Sequence, residues 1–590
     1  MPSVVFAVQY SRNKVANKLF KLFCVFCAFC GFVVNCPAID REAFTFTKYD
    51  LNLQVEPAQQ RLAVRGKITL RNDSSSPQKS FSLQISSSLD WRSIQFGGKP
   101  VQFVSQPYAS DIDHTGALSE AIVTLPQEAP PKGTIELAIG YEGVIVLDAT
   151  RLTRIGVPED KAKHSDWDQI GKTYTAVRGV GYVAWYPVAI ESANLSEGKS
   201  VFEALGRWKV REQNTLLKVN LCSTGNTDSE IIMNNPVPVG VPAEDGRRTN
   251  DETTASCGEH LYPQLGQLIP LFSIADYSEL DRPAIRIHFL SQHESAANNF
   301  GLALDLVTPL VTEWFGVARQ KAQVVELNDS EAASFESGNV LLTPLANVDS
   351  RLYELTAVHA LTHAAFPSPR LWIYEGLAHF AQALDREQHN GRQGALDFMA
   401  PFRASIVDAE KSSIANRNQT DQSLINTSIE EFYRSKAMFV WWMLRGMVGG
   451  DSLKKALTAY KPDEDKDPAY MQHLLEAQSK RNLQWFFDDW VYADKGLPDF
   501  RVESAYARAS VGGGYFVTIT VENLGNAGAE VPLILKTEGG EVTKRIEVRA
   551  KSKISTRMDV PSKPEEIVIN DGSVPESDLS NNMLKIDLAK

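Results

Sequence analysis

The sequence is short of cysteine and of positive charge. Six of its 590 residues are cysteine, and four of them (Cys24, Cys27, Cys30 and Cys36) crowd into or beside one apolar run near the N-terminus. Only Cys222 and Cys257 remain for the rest of the chain, which excludes a small disulfide-dense scaffold. The net charge is −12. Arg12, Lys14, Lys18 and Lys21 stand in the first 38 residues with no acid among them, so the remainder is more acidic still. With no basic cluster anywhere, the composition argues against nucleic acid as a partner. There is no long repeat and no low-complexity tract outside the loops, which excludes a solenoid.

Long hydrophobic runs are also missing. The apolar stretch Leu22–Val34 has 13 residues, too few to span a bilayer comfortably but suited to the apolar core of a signal peptide that follows a basic segment. Cleavage is expected near Ala38. The alternatives are an uncleaved anchor or a lipid on Cys36, and Asn35 is a poor residue to precede a lipidated cysteine. Membrane contact is expected only in those two cases. Within an apolar signal core the four-cysteine spacing reads as part of that core rather than as a metal site. The chain is thus expected to be exported, to a periplasm or the extracellular space. There Cys222 and Cys257 can form a disulfide around a polar loop, or stand as two free thiols.

Residues 39–290 read as an N-terminal β domain. Leu51, Leu53 and Val55, then Leu62, Val64, Ile68 and Leu70, alternate with polar residues about a Glu-Pro turn, the period of half-buried antiparallel strands. From residue 291 to 498 helical spacing dominates, in 298–316 and in the long apolar stretches 394–410, 429–450 and 471–496, with short strands at AQVVELND and GNVLLTPL and a polar loop at 386–394. After Pro498, residues 499–590 return to alternation and predict a C-terminal β-sandwich.

The chemistry gathers in 351–385. His359 and His363 are four apart and project from one face of a helix. After eleven intervening residues comes Glu375, in a second helix-like stretch. Two imidazoles one turn apart and a carboxylate from the next helix can supply three ligands to zinc. One residue is conspicuously missing. The position after His359 is Ala360, which cannot accept a proton from a zinc-bound water. The pattern therefore points to a metal site more strongly than to catalysis. The bland alternative is two histidines that share a helix by accident and a Glu375 that merely suits a helix N-terminus.

The order of these parts resembles the aminopeptidase N family of zinc peptidases, within the gluzincins. YDLNLQVEP…VRGKITLRN is similar to that family's first hairpin, and LVTPLVTEWFG to the helix entering its catalytic domain. LWIYEGLAHF resembles its third-ligand helix, and LQWFFDDWVYADKGLPDF the close of its helical segment. The resemblance implies a multidomain α+β protein with an N-terminal antiparallel β domain, a mostly helical thermolysin-like catalytic domain and a C-terminal β-sandwich. It implies one zinc held by His359, His363 and Glu375, and a peptide or protein ligand in the cleft.

The departures weigh as much. The family's general base is replaced by Ala360, and the link from His363 to Glu375 is short and reads AAFPSPR. The segment that holds a substrate amine reads FESGNVLL, where Glu336 stands out of register. The oxyanion tyrosine position falls on Arg434, with Tyr433 one residue off as a weak catalytic candidate beside its plainer role in packing. Glu354 sits on the wrong side of its helix to replace the base, and His379 and His389 read as ordinary polar residues. Three readings follow: a zinc-binding protein whose peptidase activity is lost or strongly reduced, an active zinc peptidase with another proton shuttle such as Glu336, or a metal-free scaffold.

Overall fold

The computed structural model describes residues 39–40, 43–109, 117–154, 156–179, 183–188, 211–224, 229–234, 255–266, 268–346, 348–415, 423–425, 427, 429–493 and 495–586. The expected signal segment and its four cysteines lie outside them. Residues 1–40 and 41–590 separate as two units, and the described strands and helices all lie in the second.

Strands β1 (Phe44–Glu56) and β2 (Arg61–Asn72) form a long hairpin. Their alternating residues Leu51, Leu53, Val55, Leu62, Val64, Ile68 and Leu70 are buried, because successive side chains of a strand point to opposite faces. The hairpin is the centre of a seven-stranded sheet with β4 (Leu89–Phe96), β5 (Lys99–Pro100), β8 (Thr134–Val144), β11 (Leu216–Thr224) and β13 (Ala255–Tyr262). The strands β3 (Gln78–Ser86), β6 (Gln102–Ala109) and β7 (Ala117–Ala129) make a separate three-stranded sheet that shares its core. The expectation of a purely antiparallel domain needs one correction, since β1 and β11 pair in parallel. Residues 57–215 separate the two strands and include β2, β4, β5 and β8 of the same sheet, so the parallel pair is not joined by a tight turn. Cys222 on β11 lies opposite Cys257 on β13, and the two form a disulfide with Cα atoms 4.1 Å apart.

A four-stranded sheet of β9 (Gln169–Ile170), β10 (Tyr174–Val177), β12 (Glu230–Met233) and β14 (Phe272–Ala275) follows. Next comes a mixed five-stranded sheet in the order β15 (Tyr277–Asp281), β16 (Ile285–Leu290), β17 (Ala322–Glu326), β19 (Val340–Thr343), β18 (Phe335–Ser337). The boundary expected at residue 290 falls inside this sheet. β16, β17 and β19 run parallel, while β18 closes one edge antiparallel to β19 through a tight turn at Gly338, whose φ is 64°. A glycine is needed there because a side chain is disfavoured at positive φ.

The helices pack on this sheet. Helix α1 (Glu294–Phe315) precedes β17. Helix α2 (Ser350–Ala365) starts at Asp349, whose side chain accepts a hydrogen bond from the Arg351 amide at 2.8 Å, satisfying one of the free N–H groups of the first turn. It stops before Pro367, which cannot continue a helix. Helix α3 (Leu371–Ala415) is interrupted only at Gly391, with φ 67°. The polar stretch 386–394, expected as a loop, is therefore helical on both sides of that glycine. A solvent-facing helix surface is as polar as a loop, so composition does not separate the two. A π-helical turn, Glu431–Lys436, leads into α4 (Ala437–Val448).

The C-terminal strands form two facing sheets. One holds β20 (Phe500–Ala509), β21 (Tyr515–Asn523) and β24 (Lys553–Val560). The other runs in the order β23 (Gly540–Val548), β22 (Ala529–Thr537), β25 (Pro564–Ile569), β26 (Met583–Lys585). Their inward residues, among them Val517, Ile519, Leu533 and Leu535, belong to the same hydrophobic core as the helices. Trp490 donates its indole N–H to Gly528 O at 2.7 Å, and the Gly528 amide donates to Asp489 at 2.9 Å. The sandwich is thus fastened to the end of the helical segment.

Candidate metal centre

Helix α2 projects His359 and His363 from one buried face, and their Nε2 atoms meet at 3.0 Å. The turn from α2 to α3 is tied down at several points. Phe366 stacks on Tyr460, Ser368 shares a hydrogen bond with the Tyr460 hydroxyl at 2.8 Å, and Arg370 donates to Asp465 at 2.7 Å. The short link thereby turns α3 back so that Glu375 does reach the histidines. Its Oε1 lies 3.6 Å from His363 Nε2, and its Oε2 lies 3.7 Å from His359 Nε2. The next residue, Gly376, lets α3 approach α4 closely: a Cβ there would sit 2.7 Å from that of Ala437.

A second carboxylate comes closer to His359. Glu336, on the edge strand β18, places Oε2 3.2 Å from His359 Nε2 and Oε1 3.8 Å from His363 Nε2. His359, His363 and Glu336 each offer one atom within 4.8 Å of the others. Opposite Glu336 in the β-ladder is Leu341, which faces the helical core, whereas Val340 and Leu342 face the N-terminal core. Strand alternation thus aims Glu336 at α2.

Arg434, on the π-helical turn, donates from Nε to Glu375 Oε2 at 3.1 Å and is also paired with Glu430. A π-turn adds one residue to a helical turn, and here it is Arg434 that reaches the site. Tyr433 is buried beside it. Burial, then the charges of Glu375 and Glu430, raise its hydroxyl well above the usual range. Tyr374 stacks on His363 with ring centroids 3.6 Å apart and donates its hydroxyl to Gly338 O at 3.1 Å. His379 packs edge-on against His359 at 5.1 Å. Glu354 is turned away and accepts from Arg386 at 3.1 Å, and His389 Nδ1 meets Asp385 O at 2.9 Å, near the same pair.

The two imidazoles titrate apart. Burial disfavours the cationic form of both. At His359 the opposing pull of Glu336, aided by Glu375, prevails and its pKa is raised. At His363 burial prevails, helped by His359 and Arg434, and the pKa falls to about 3. Burial alone would raise the Glu336 pKa, but the two histidines hold it below the ordinary carboxylate range.

The donor set fits a zinc ion. Tetrahedral ligands at about 2.0–2.1 Å from a metal lie roughly 3.3–3.4 Å from one another, and the imidazole–carboxylate separations run from 3.2 to 3.8 Å. His363 Nδ1 is buried and has no partner among the described residues, so the ring is oriented by stacking on Tyr374 rather than by the usual outer hydrogen bond of a metal-bound histidine.

Of the residues singled out in the sequence, His359, His363 and Glu375 are brought together, and Tyr433 lies near Glu375. The sequence offers Glu336 only as a proton shuttle out of register, and it gives no sign of the Arg434–Glu375 pair. The hairpin turn at Gly338-Asn339 carries a signal for Glu336, because it sets which residues of FESGNVLL share a face.

The chain is similar to the crystal structure of an M1 zinc metallopeptidase from Deinococcus radiodurans, at 14% identity and a TM-score of 0.45, over 75% of this chain and 93% of that one. An alanine-for-glutamate mutant of the same enzyme is similar at 14% identity and a TM-score of 0.45, over 78% of this chain and 97% of that one. No protein-family model and no curated protein matches the sequence.

Proposed function

We propose that this is an exported zinc-binding protein with a metallopeptidase-like site whose peptidase activity is lost or strongly reduced, and that it binds a peptide or protein segment in the cleft. The observation that carries the reading is the fate of the carboxylates around His359 and His363. Ala360 offers none, Glu375 is engaged by Arg434, and Glu336 lies directly on the imidazoles. A bound zinc supplies a Lewis acid and lowers the pKa of water in its coordination sphere. Hydrolysis also needs a base to take the water proton and pass it to the leaving amine, and removing such help costs about 10²–10⁴-fold in rate. His359, His363 and Glu375 would hold the ion, while Tyr374 and Arg434 orient His363 and Glu375.

The test is elemental mass spectrometry of the purified protein without added zinc, paired with peptidase assays on substrates with free and blocked amino ends. About one zinc per chain with no chelator-sensitive turnover is expected. No metal, even after zinc is offered, would favour the scaffold reading. The position of Glu336 favours one rival, an active peptidase that uses it as proton shuttle. Robust chelator-sensitive turnover that disappears in Glu336→Gln would establish that rival.

A further inference from the structure

Glu336 stands closer to His359 than Glu375 does, at 3.2 against 3.7 Å, and about as far from His363, at 3.8 against 3.6 Å; among the described residues no arginine or lysine pairs with its carboxylate. Among the described residues its side chain is paired with His359 and His363 alone. A buried carboxylate is costly unless a cation or hydrogen bonds compensate it. Glu375, by contrast, is held through Oε2 by Arg434, which leaves its Oε1, 3.6 Å from His363 Nε2, facing the site.

The charge balance points the same way. Glu375 and Glu430 share a single guanidinium, that of Arg434, while among the described residues Glu336 pairs only with the imidazoles. Metal binding requires both imidazoles neutral, and in that state two negative charges of this cluster have no counterpart among the described residues. A divalent cation supplies the balancing charge.

Position decides what Glu336 does there. A base that acts on a metal-bound water stands beyond that water, one hydrogen bond further out. Glu336 Oε2 is instead 3.2 Å from His359 Nε2, the spacing of two ligands on one ion.

We propose that Glu336 is itself a metal ligand, so that His359, His363, Glu375 and Glu336 form a closed four-ligand site with no position kept open for water or substrate. The inference rests on the zinc-binding reading above and deepens it. A site with four protein ligands holds the structure together, whereas a catalytic zinc keeps one position open. The metal then ties the edge strand β18 to α2 and α3. The peptidase chemistry is blocked by an added ligand as well as by the missing base, and any peptide bound in the cleft does not meet the metal.

The experiment uses cobalt(II) in place of zinc, because its visible bands report coordination number and ligand exchange, and azide as the probe of an open position. The wild-type protein is expected to take up about one cobalt per chain, to show the intense bands of a four-coordinate ion, and to leave them unchanged as azide is added. Glu336→Gln keeps the side-chain shape and loses the ligand. It is expected to bind cobalt at least ~10-fold more weakly, the lower end of what loss of even an outer partner costs, and its bands are expected to shift with azide. If azide shifts the wild-type bands, the site is open and the inference is overturned, whatever the variant does. If Glu336→Gln keeps the wild-type affinity and stays indifferent to azide, Glu336 is not a ligand. Failure of the wild-type protein to take up cobalt or zinc at all overturns the zinc-binding reading, and this inference with it.

Discussion

Gly376 is the residue on which the approach of α3 to α4 depends, and Gly376→Ala is the most direct test of that packing. The added Cβ would lie 2.7 Å from Ala437 Cβ, 3.0 Å from Trp441 Nε1 and 3.1 Å from Trp441 Cδ1. Carbon atoms in contact prefer about 3.5–4.0 Å, so the helices must part by on the order of 1 Å. Trp441 has little freedom to yield. It stacks on Trp372 at 5.0 Å and 9° and donates its indole N–H to Trp372 O at 3.2 Å. Overpacking of this kind costs about 1–3 kcal/mol, and the better helix propensity of alanine returns up to about 1 kcal/mol. A net loss of about 1–2 kcal/mol is expected, read as a lower denaturant midpoint for the metal-free protein. Because Glu375 is the preceding residue, metal affinity should fall as well. Combining the change with Ala437→Gly removes the closest contact, and the double variant should be more stable than the sum of the single effects. An unchanged or raised midpoint in Gly376→Ala, with metal affinity intact, would refute the argument that this glycine is required by close approach.

Two further outcomes are expected from features away from the metal. The Cys222–Cys257 bridge closes a span of 35 residues, for which loop-closure entropy gives about 4 kcal/mol. The Cys222→Ser, Cys257→Ser double variant should lose about 2–4 kcal/mol in denaturant unfolding, and equal midpoints with and without reductant in the wild type would contradict this. In the sandwich, buried Glu576 accepts from the Phe500 amide at 3.0 Å and from Asn570 and Asn582 at 2.5 Å each. Burial outweighs these donors and raises its pKa from 4.5 to about 7. The folded protein therefore holds this proton through a range where the unfolded chain has released it. The stabilisation is full below about pH 4.5 and is lost as pH rises towards 7, by on the order of 3 kcal/mol. Glu576→Gln cannot titrate, so its stability relative to wild type should rise across that interval; parallel pH profiles would refute the assignment.

Much of this protein is legible in the chain itself. The burial of Leu51, Leu53 and Val55 is written in their alternation, and the shared face of His359 and His363 in a spacing of four. Asp349 and Pro367 mark the ends of the histidine helix by their own chemistry. Each of these is a local property, set by backbone geometry over a few residues. Other features depend on which elements become neighbours. The parallel pairing of β1 with β11 joins strands far apart in the chain, and the continuity of the stretch 386–394 with α3 rests on one glycine that bends a helix without ending it. The metal centre divides along the same line. The two imidazoles are determined by one helix. Glu336 and Arg434 come from an edge strand and a π-turn, and they reach His359 and Glu375 only because the order of the five-stranded sheet and the packing of α3 against α4 carry them there. Side-chain spacing along a chain records neighbours on one element, whereas the place of a charge in a buried site is decided by how the elements pack.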